Sequence, residues 1–294
     1  MDTKYLNTDK QIHTTIDYEL QQQVNRQLGL YAKQLQHNEI YNAGVIILDV
    51  KSNNVLVYCG NTPNTKNSRQ QAVDMIFAKR STGSILKPFL YGFGLEDGTI
   101  MQNSLLIDVP SYYAGFTPKN YDRNYQGVVK ASEAVSRSLN VPIVKLLHDY
   151  GYQRFYNNMK QIGMKTLTND AKHYGLSMIL GGAETSLWDI SAMYSGLVRC
   201  VDDYNQHYHY RNNCFESPHL VYDTTRTYNY NSKENVISAS SAYYTLEAMK
   251  KVKRPGVLAA WENYSSSKKI AWKTGTSFGN RDAWAIGCTQ NHIV

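Results

Sequence analysis

No stretch of this 294-residue chain approaches the ~20 consecutive apolar residues that cross a bilayer, and Met1-Asp2-Thr3-Lys4-Tyr5 carries no apolar signal region. The chain as it stands is therefore expected to hold neither a leader nor a membrane anchor. Cysteine is scarce: Cys59, Cys200, Cys214 and Cys288 form no CxxC pair, and His207 with His209 supplies too few ligands for a closed metal site. No metal and no cofactor is expected. Cys200 and Cys214 could pair in an oxidising compartment, but buried free thiols are the simpler expectation. Also missing is any basic run with aromatics interleaved at regular spacing, which removes the usual ground for nucleic-acid binding. Excess charge is modest: 31 Lys and Arg against 24 Asp and Glu leave +7, which favours anionic surroundings and equally fits a mildly basic surface without a target.

Hydrophobic residues at 42% and charged residues at 19% suit a globular body, and one of this size buries roughly three-quarters of its unfolded surface. Asp17 can cap a helix in which Leu20, Val24, Leu28, Tyr31 and Leu35 recur every three or four residues, which predicts a helix over 17–37 with one apolar stripe. Ala43 to Val50 and Val55 to Cys59 are short β-branched-rich runs around Lys51-Ser52-Asn53-Asn54, a hairpin signal. The first run is apolar enough to be covered on both faces. Residues 84–200 read as mostly helical and 201–235 as a long irregular excursion; Ser238 to Lys251 is helical again, and Lys269 to Thr274 and Asp282 to Cys288 are two further strands. With no repeat or linker, the expectation is one α/β domain, its N- and C-terminal strands enclosing a helical middle.

Three short strings in one order stand out: Ser84-Ile85-Leu86-Lys87, Ser138-Leu139-Asn140 and Lys273-Thr274-Gly275-Thr276. An SxxK spacing alone is weak, since Ser265 with Lys268 and Ser266 with Lys269 also fit it. Only Ser84 follows Gly83 and precedes Pro88-Phe89, at a passage from Ser/Thr/Gly into an apolar run, which marks a loop turning into a helix. Ser52-Asn53-Asn54 repeats the second string but belongs to the hairpin turn.

The chemistry of such a set is acyl transfer. A serine hydroxyl attacks only when a base takes its proton, and a lysine three residues further along a helix lies on the same face. Lys87 as that base requires a pKa roughly 2–3 units below the usual ~10.4, worth about 3–4 kcal/mol. Burial and a second cation both act in that direction, and Lys273 is the candidate for the second. Ser138 would bridge the two lysines and relay a proton to a leaving amine, while Asn140 would hold Lys87 and the substrate backbone. Gly275 lets an acyl group lie against its strand, with the N–H groups of Thr276 and Ser84 as an oxyanion hole. Arg281 and Asp282 could simply pin the turn after that strand. Trp188, Trp272 and Trp284 read as core or cleft wall.

Together the strings resemble the SxxK, SxN and KTG set of the serine enzymes acylated by penicillin. The resemblance reaches from Thr14-Thr15-Ile16-Asp17 to Asp282-Ala283-Trp284 and includes Pro118-Lys119-Asn120-Tyr121-Asp122, Tyr125-Gln126-Gly127 and Leu180-Gly181-Gly182-Ala183-Glu184. It is nearest to the transpeptidase domain of class A penicillin-binding proteins of the 1C type. The resemblance implies a penicillin-binding/serine β-lactamase-like α/β fold, an antiparallel sheet flanked by helices. It implies acylation of Ser84 by the D-Ala-D-Ala end of a peptidoglycan stem peptide or by a β-lactam, then transfer to a neighbouring amine. Thr274 and Thr276 would bind the substrate carboxylate. Such proteins act at the outer face of the bacterial cytoplasmic membrane, through an upstream membrane helix and a glycosyltransferase domain that are not found here. The family also continues beyond His292-Ile293-Val294 with a central strand and a closing helix, so residues 1–294 are expected to be a transpeptidase domain lacking both. A non-catalytic β-lactam sensor or wall-binding domain, a DD-carboxypeptidase and a serine β-lactamase are the alternatives, the last disfavoured because no ExxLN string lies between the second and third motifs.

Overall fold

The computed structural model describes residues 11–63, 70, 72–113, 115–232, 235–252 and 269–294, which leaves Met1 to Tyr5 and the Ser265 to Lys268 stretch outside the described residues. Asp17 caps the first helix as its sequence predicts: its carboxylate accepts the Leu20 N–H at 2.9 Å, and α1 runs over Tyr18–Leu35. Its stripe, through Leu20, Val24 and Leu28, packs on Ile47, Val57 and Cys59 of the hairpin formed by β1 (Val45–Asp49) and β2 (Val55–Cys59). Ile46 and Leu48 point the other way, into the main core, so β1 is buried on both faces.

The chain then leaves the sheet. After β3 (Arg80–Ser81), α2 (Lys87–Glu96), the hairpin β4 (Leu105–Asp108) and β5 (Gly127–Lys130), the helices α3 (Ala131–Ser136), α4 (Val141–Tyr150), α5 (Tyr152–Gln161) and α6 (Ala171–Tyr174) follow. A short β6 (Glu184–Thr185) pairs with β3, and α7 (Leu187–His207) crosses behind the sheet. Helix α7 continues to His207, past residue 200, because Val198, Cys200 and Asp203 are still buried against the core. The irregular excursion therefore begins only at Tyr208, and β7 (Tyr210–Arg211) with β8 (Tyr230–Asn231) clasps it. Helix α8 (Ala239–Lys250) is capped by Ser238.

The chain returns to the sheet with β9 (Ala271–Thr276), β10 (Ala283–Cys288) and β11 (His292–Ile293), giving the all-antiparallel order β2-β1-β11-β10-β9. The last strand is thus not wholly missing, contrary to the sequence expectation. Thr289 Oγ1 accepts the His292 N–H at 2.9 Å, closing a turn that sends Ile293 between Leu48 and Cys288 at the centre of the sheet. Val294 extends the ladder, exchanging hydrogen bonds of 2.8 and 2.9 Å with Gly287.

All four cysteines are buried free thiols. Arg199, wholly buried on α7, ties the hairpin to the excursion: its guanidinium donates to Asn53 Oδ1 and Ser195 Oγ at 2.7 Å and to the Cys214 carbonyl at 2.8 Å. Replacing it leaves those acceptors dry and unpaired. Arg199→Met is expected to lower the unfolding free energy by about 3 kcal/mol or more, read from urea denaturation; a loss under 1 kcal/mol would show this clasp to be dispensable.

Candidate active site

The first segment is a turn pinned from four sides. Ser84 precedes α2 rather than lying on it: Ile85 N–H donates to Thr82 O at 3.1 Å, Lys87 N–H to Ser84 O at 3.3 Å, and the helix begins at Lys87 with Pro88 in its first turn. Thr82 N–H and Oγ1 both donate to Ala183 O, Trp284 Nε1 donates to Ser81 O at 2.8 Å, and Tyr194 Oη donates to Ile85 O at 2.6 Å. Gly83, at φ +50°, lies flat against β9; a methyl there would come within 2.6 Å of the Thr276 backbone. Gly275 faces it in the same way, its missing Cβ only 2.8 Å from Thr82 O. Two glycines thus press the Ser84 turn onto the strand and bring Ser84 beside Thr276.

The second segment is the α3–α4 junction. Helix α3 ends with Ser138 at φ +58°, its N–H donating to Val135 O and that of Leu139 to Ala134 O, a Schellman motif with serine where glycine is usual. This strained backbone turns Ser138 toward both lysines. Its hydroxyl accepts from Lys273 Nζ at 2.9 Å and its carbonyl from Lys87 Nζ at 2.8 Å. Lys87 Nζ also donates to Leu139 O at 3.0 Å and Asn140 Oδ1 at 2.7 Å. Lys273 Nζ donates a second bond, at 2.6 Å, to Thr274 O.

Both lysines are essentially removed from water, Lys87 at 0% exposure and Lys273 at 2%. Burial holds Lys87 well below the ordinary ammonium range, with repulsion from Lys273 adding to it, and burial brings Lys273 down to about 7. No carboxylate pairs with either among the described residues.

Lys87, Ser138, Asn140 and Lys273 therefore converge from three distant stretches, while Ser84, in the turn that Gly83 presses onto β9, makes no hydrogen bond to Lys87 among the described residues. All three Lys87 donors are committed to the Ser138–Asn140 loop, and the half-buried Ser84 hydroxyl has no hydrogen-bond partner among the described residues. Thr274 and Thr276 are exposed on β9 with Gly275 buried between them. A cavity of about 860 Å3 opens beside the lysines, bordered by Tyr121, Ser132, Glu133, Ser138, Lys273 and Thr274. Asp282 donates its N–H to Ser277 Oγ at 2.8 Å and faces Arg80 at 3.8 Å, an arrangement that closes the turn after β9. The His207 ring packs against that of Tyr230 at a tilt of 41°, and no metal-binding cluster forms among the described residues. Sequence reasoning missed Tyr194, an apolar-face residue with no local signal, and gave no role to Asn120, whose side chain accepts the backbone N–H of Asn140 at 3.0 Å.

The fold is shared with solved penicillin-binding proteins: PonA1 of Mycobacterium tuberculosis superposes over the whole chain and 77% of its own with a TM-score of 0.73 at 22% identity, and its complex with penicillin V does so over 78% at 23% identity. The family model for the penicillin-binding protein transpeptidase domain matches residues 43–197, and the chain belongs to that family. Penicillin-binding protein 1C of Escherichia coli K12 is 31% identical over 96% of this chain and 34% of its own length, and penicillin-binding protein 1B of Haemophilus influenzae is 24% identical over 96% and 36%. The chain spans about a third of the length of these relatives.

Two outcomes follow from the geometry. Because serine in the left-handed region costs roughly 1–2 kcal/mol relative to glycine, Ser138→Gly should be about 1 kcal/mol more stable than Ser138→Ala, which loses the same hydroxyl but keeps the strain; equal denaturation midpoints would contradict that strain. The second concerns pH. Between pH 7 and the ordinary lysine range the unfolded chain holds a proton that folded Lys273 has released, so stability rises with pH there. Lys273→Met should flatten that rise by up to about 1.4 kcal/mol per pH unit, measured from pH 7 to 8.5, before the thiols of the unfolded chain ionise; an unchanged slope would mean that Lys273 titrates normally.

Proposed function

We propose that residues 1–294 form a peptidoglycan DD-transpeptidase domain that works through an acyl-enzyme on Ser84 and is acylated at the same atom by β-lactams. The observation that carries this reading is the meeting of two charge-depleted lysines on Ser138, together with an uncommitted serine hydroxyl in the turn that Gly83 presses onto β9, the strand of Lys273.

A stem peptide ending in D-Ala-D-Ala lies along β9, its carboxylate on the Thr274 and Thr276 hydroxyls. Ser84 Oγ attacks the penultimate carbonyl carbon, and its proton passes to the neutral amine of Lys87, whose deprotonated form burial favours. That amine must first release one of its three present acceptors and turn toward Ser84. The carbonyl oxygen gathers negative charge between the N–H groups of Ser84 and Thr276; the former has no backbone acceptor among the described residues. The C–N bond then breaks as a proton reaches the leaving D-Ala nitrogen through Ser138, which already touches both lysines. In the second half an amine of a neighbouring stem attacks the ester carbonyl, gives up its proton along the same relay, and frees Ser84. Substrate of this kind places the site at the outer face of the bacterial cytoplasmic membrane. Among the described residues no helix is long and apolar enough to cross a membrane.

Mass spectrometry after incubation with penicillin tests the nucleophile. One intact drug mass is expected on the parent and none on Ser84→Ala; an adduct that survives in the variant, or none on the parent, refutes the assignment. Transfer of the acyl group from a thioester mimic of the stem peptide to a D-amino acid supports the transpeptidase. Rapid loss of the penicillin adduct supports a β-lactamase, and a persistent adduct without transfer supports a sensor.

A further inference from the structure

Helix α4 begins without a cap of its own. Asn140 occupies its N-cap position, where an asparagine side chain ordinarily accepts an N–H of the first turn. Here that side chain is turned away: Oδ1 accepts from Lys87 Nζ at 2.7 Å, and Nδ2 donates to Lys119 O at 2.8 Å. Asn140 cannot both cap its helix and hold the lysine. A second asparagine holds the backbone at this helix start. Asn120 Oδ1 accepts the N–H groups of Asn140 at 3.0 Å and Val141 at 3.1 Å. Its Nδ2 donates to Asp108 Oδ1 at 2.7 Å and to Asn124 O at 2.9 Å. Two lone pairs and two amide hydrogens are thereby all used, at 2% exposure.

The anchor beneath Asn120 is equally firm. Asp108, wholly buried at the end of β4, accepts from Asn120 through Oδ1 and from the Gln126 N–H through Oδ2 at 3.0 Å, which ties both edges of the β4–β5 hairpin to the loop carrying Asn120. Two consecutive residues of that loop, Lys119 and Asn120, therefore grip Asn140 from its side chain and its backbone at once.

We propose that Asn120, anchored by Asp108, is a positioning residue for acyl transfer: by accepting the backbone N–H groups of Asn140 and Val141 it fixes in place the residue whose side chain holds and aims Lys87. The inference rests on the Ser84 reading above for its kinetic consequence. Losing the Asn120 carboxamide frees the Asn140 backbone from its anchor, so the side-chain oxygen that accepts from Lys87 is no longer held in place.

The test is a double-mutant cycle on the rate of acylation by a fluorescent penicillin, at a temperature where every variant is folded. Asn120→Ala is expected to be slower than the parent by about 10- to 100-fold, the cost of a small misplacement of a reacting group. Asn120→Ala/Asn140→Ala should be no slower than Asn140→Ala alone, because both act through one contact. Asp17→Ala, which removes the cap of α1 far from the site, should leave the rate unchanged. A parental rate in Asn120→Ala, or additive losses in the double variant, overturns the proposal. Should Asn120→Ala not fold, Asn120→Asp keeps an acceptor but breaks the tie to Asp108; it is expected to be slower than the parent, and a parental rate is again fatal. A readout independent of acylation is the titration of the Lys87 ε-carbon by NMR. Its midpoint is expected to move by about half a unit or more in Asn120→Ala and not in Asp17→Ala; an unmoved midpoint overturns the proposal. A parent that penicillin does not label would refute the Ser84 reading and leave this titration to decide the present one.

Discussion

Two lysine amines are buried at the centre of this protein with no carboxylate paired to either among the described residues. Lys87 and Lys273 are sealed from water, repel each other when charged, and are held among the described residues by carbonyl, amide and hydroxyl oxygens. A carboxylate in the same place would fix both as ammonium ions. Neutral acceptors give an amine somewhere to point without rewarding its charge so strongly, and desolvation then tips the balance toward the uncharged form. Everything else near the site serves this condition: it needs a dry interior, acceptors in the right places, and a wall close enough to exclude water.

The fold meets that condition by assembling segments that are remote in sequence. Lys87 begins a helix in the first third of the chain, and Lys273 projects from a strand near its end. The glycine pair Gly83 and Gly275 lets the two segments touch through their backbones, and the contact sets Ser84 next to Thr276. Tyr194 and Trp284 secure the same turn from α7 and β10. The contacts are long-range, so the site cannot exist before the sheet and the helical middle have docked. Burial of the lysines is a consequence of that docking rather than of any local helix.

Local pattern made much of this legible. The stripe from Leu20 to Leu35, the Asp17 cap and the two β-branched runs specify α1 and the β1–β2 hairpin, because amphipathic period and turn chemistry act over a few residues. The three motif strings contain Lys87, Ser138, Asn140 and Lys273, which hydrogen bonds bring together. What stayed hidden was long-range or too short to carry a period. Two residues, His292 and Ile293, form a central strand only because Leu48 and Cys288 flank them. The extension of α7 through Val201-Asp202-Asp203-Tyr204 has no apolar repeat; it depends on Asp203, whose carboxylate takes two 2.8 Å bonds from Arg211. Helical spacing anticipates a Ser84–Lys87 contact; α2 starts at Lys87 itself, Ser84 lies in the turn before it, and no hydrogen bond joins the two side chains among the described residues.

Three departures from local rules coincide at the site. Ser138 stands at a left-handed position that glycine fills more easily. Asn140 stands at an N-cap that it does not cap. Lys87 stands at the first position of α2, where the partial positive charge of the helix end disfavours a cation. Each is a cost when judged by its own turn of chain, and each has a gain only at the level of the assembled cleft. The serine supplies a hydroxyl and a carbonyl to different lysines, the asparagine supplies an acceptor to one of them, and the helix end weakens the charge that the interior already disfavours. Local inconsistency in a chain otherwise consistent with its fold is what selection for chemistry, rather than for stability, leaves behind. Asn120 offsets one of the three from outside: its side-chain oxygen accepts the N–H groups of Asn140 and Val141, so the start of α4 is held although the Asn140 side chain is turned to Lys87.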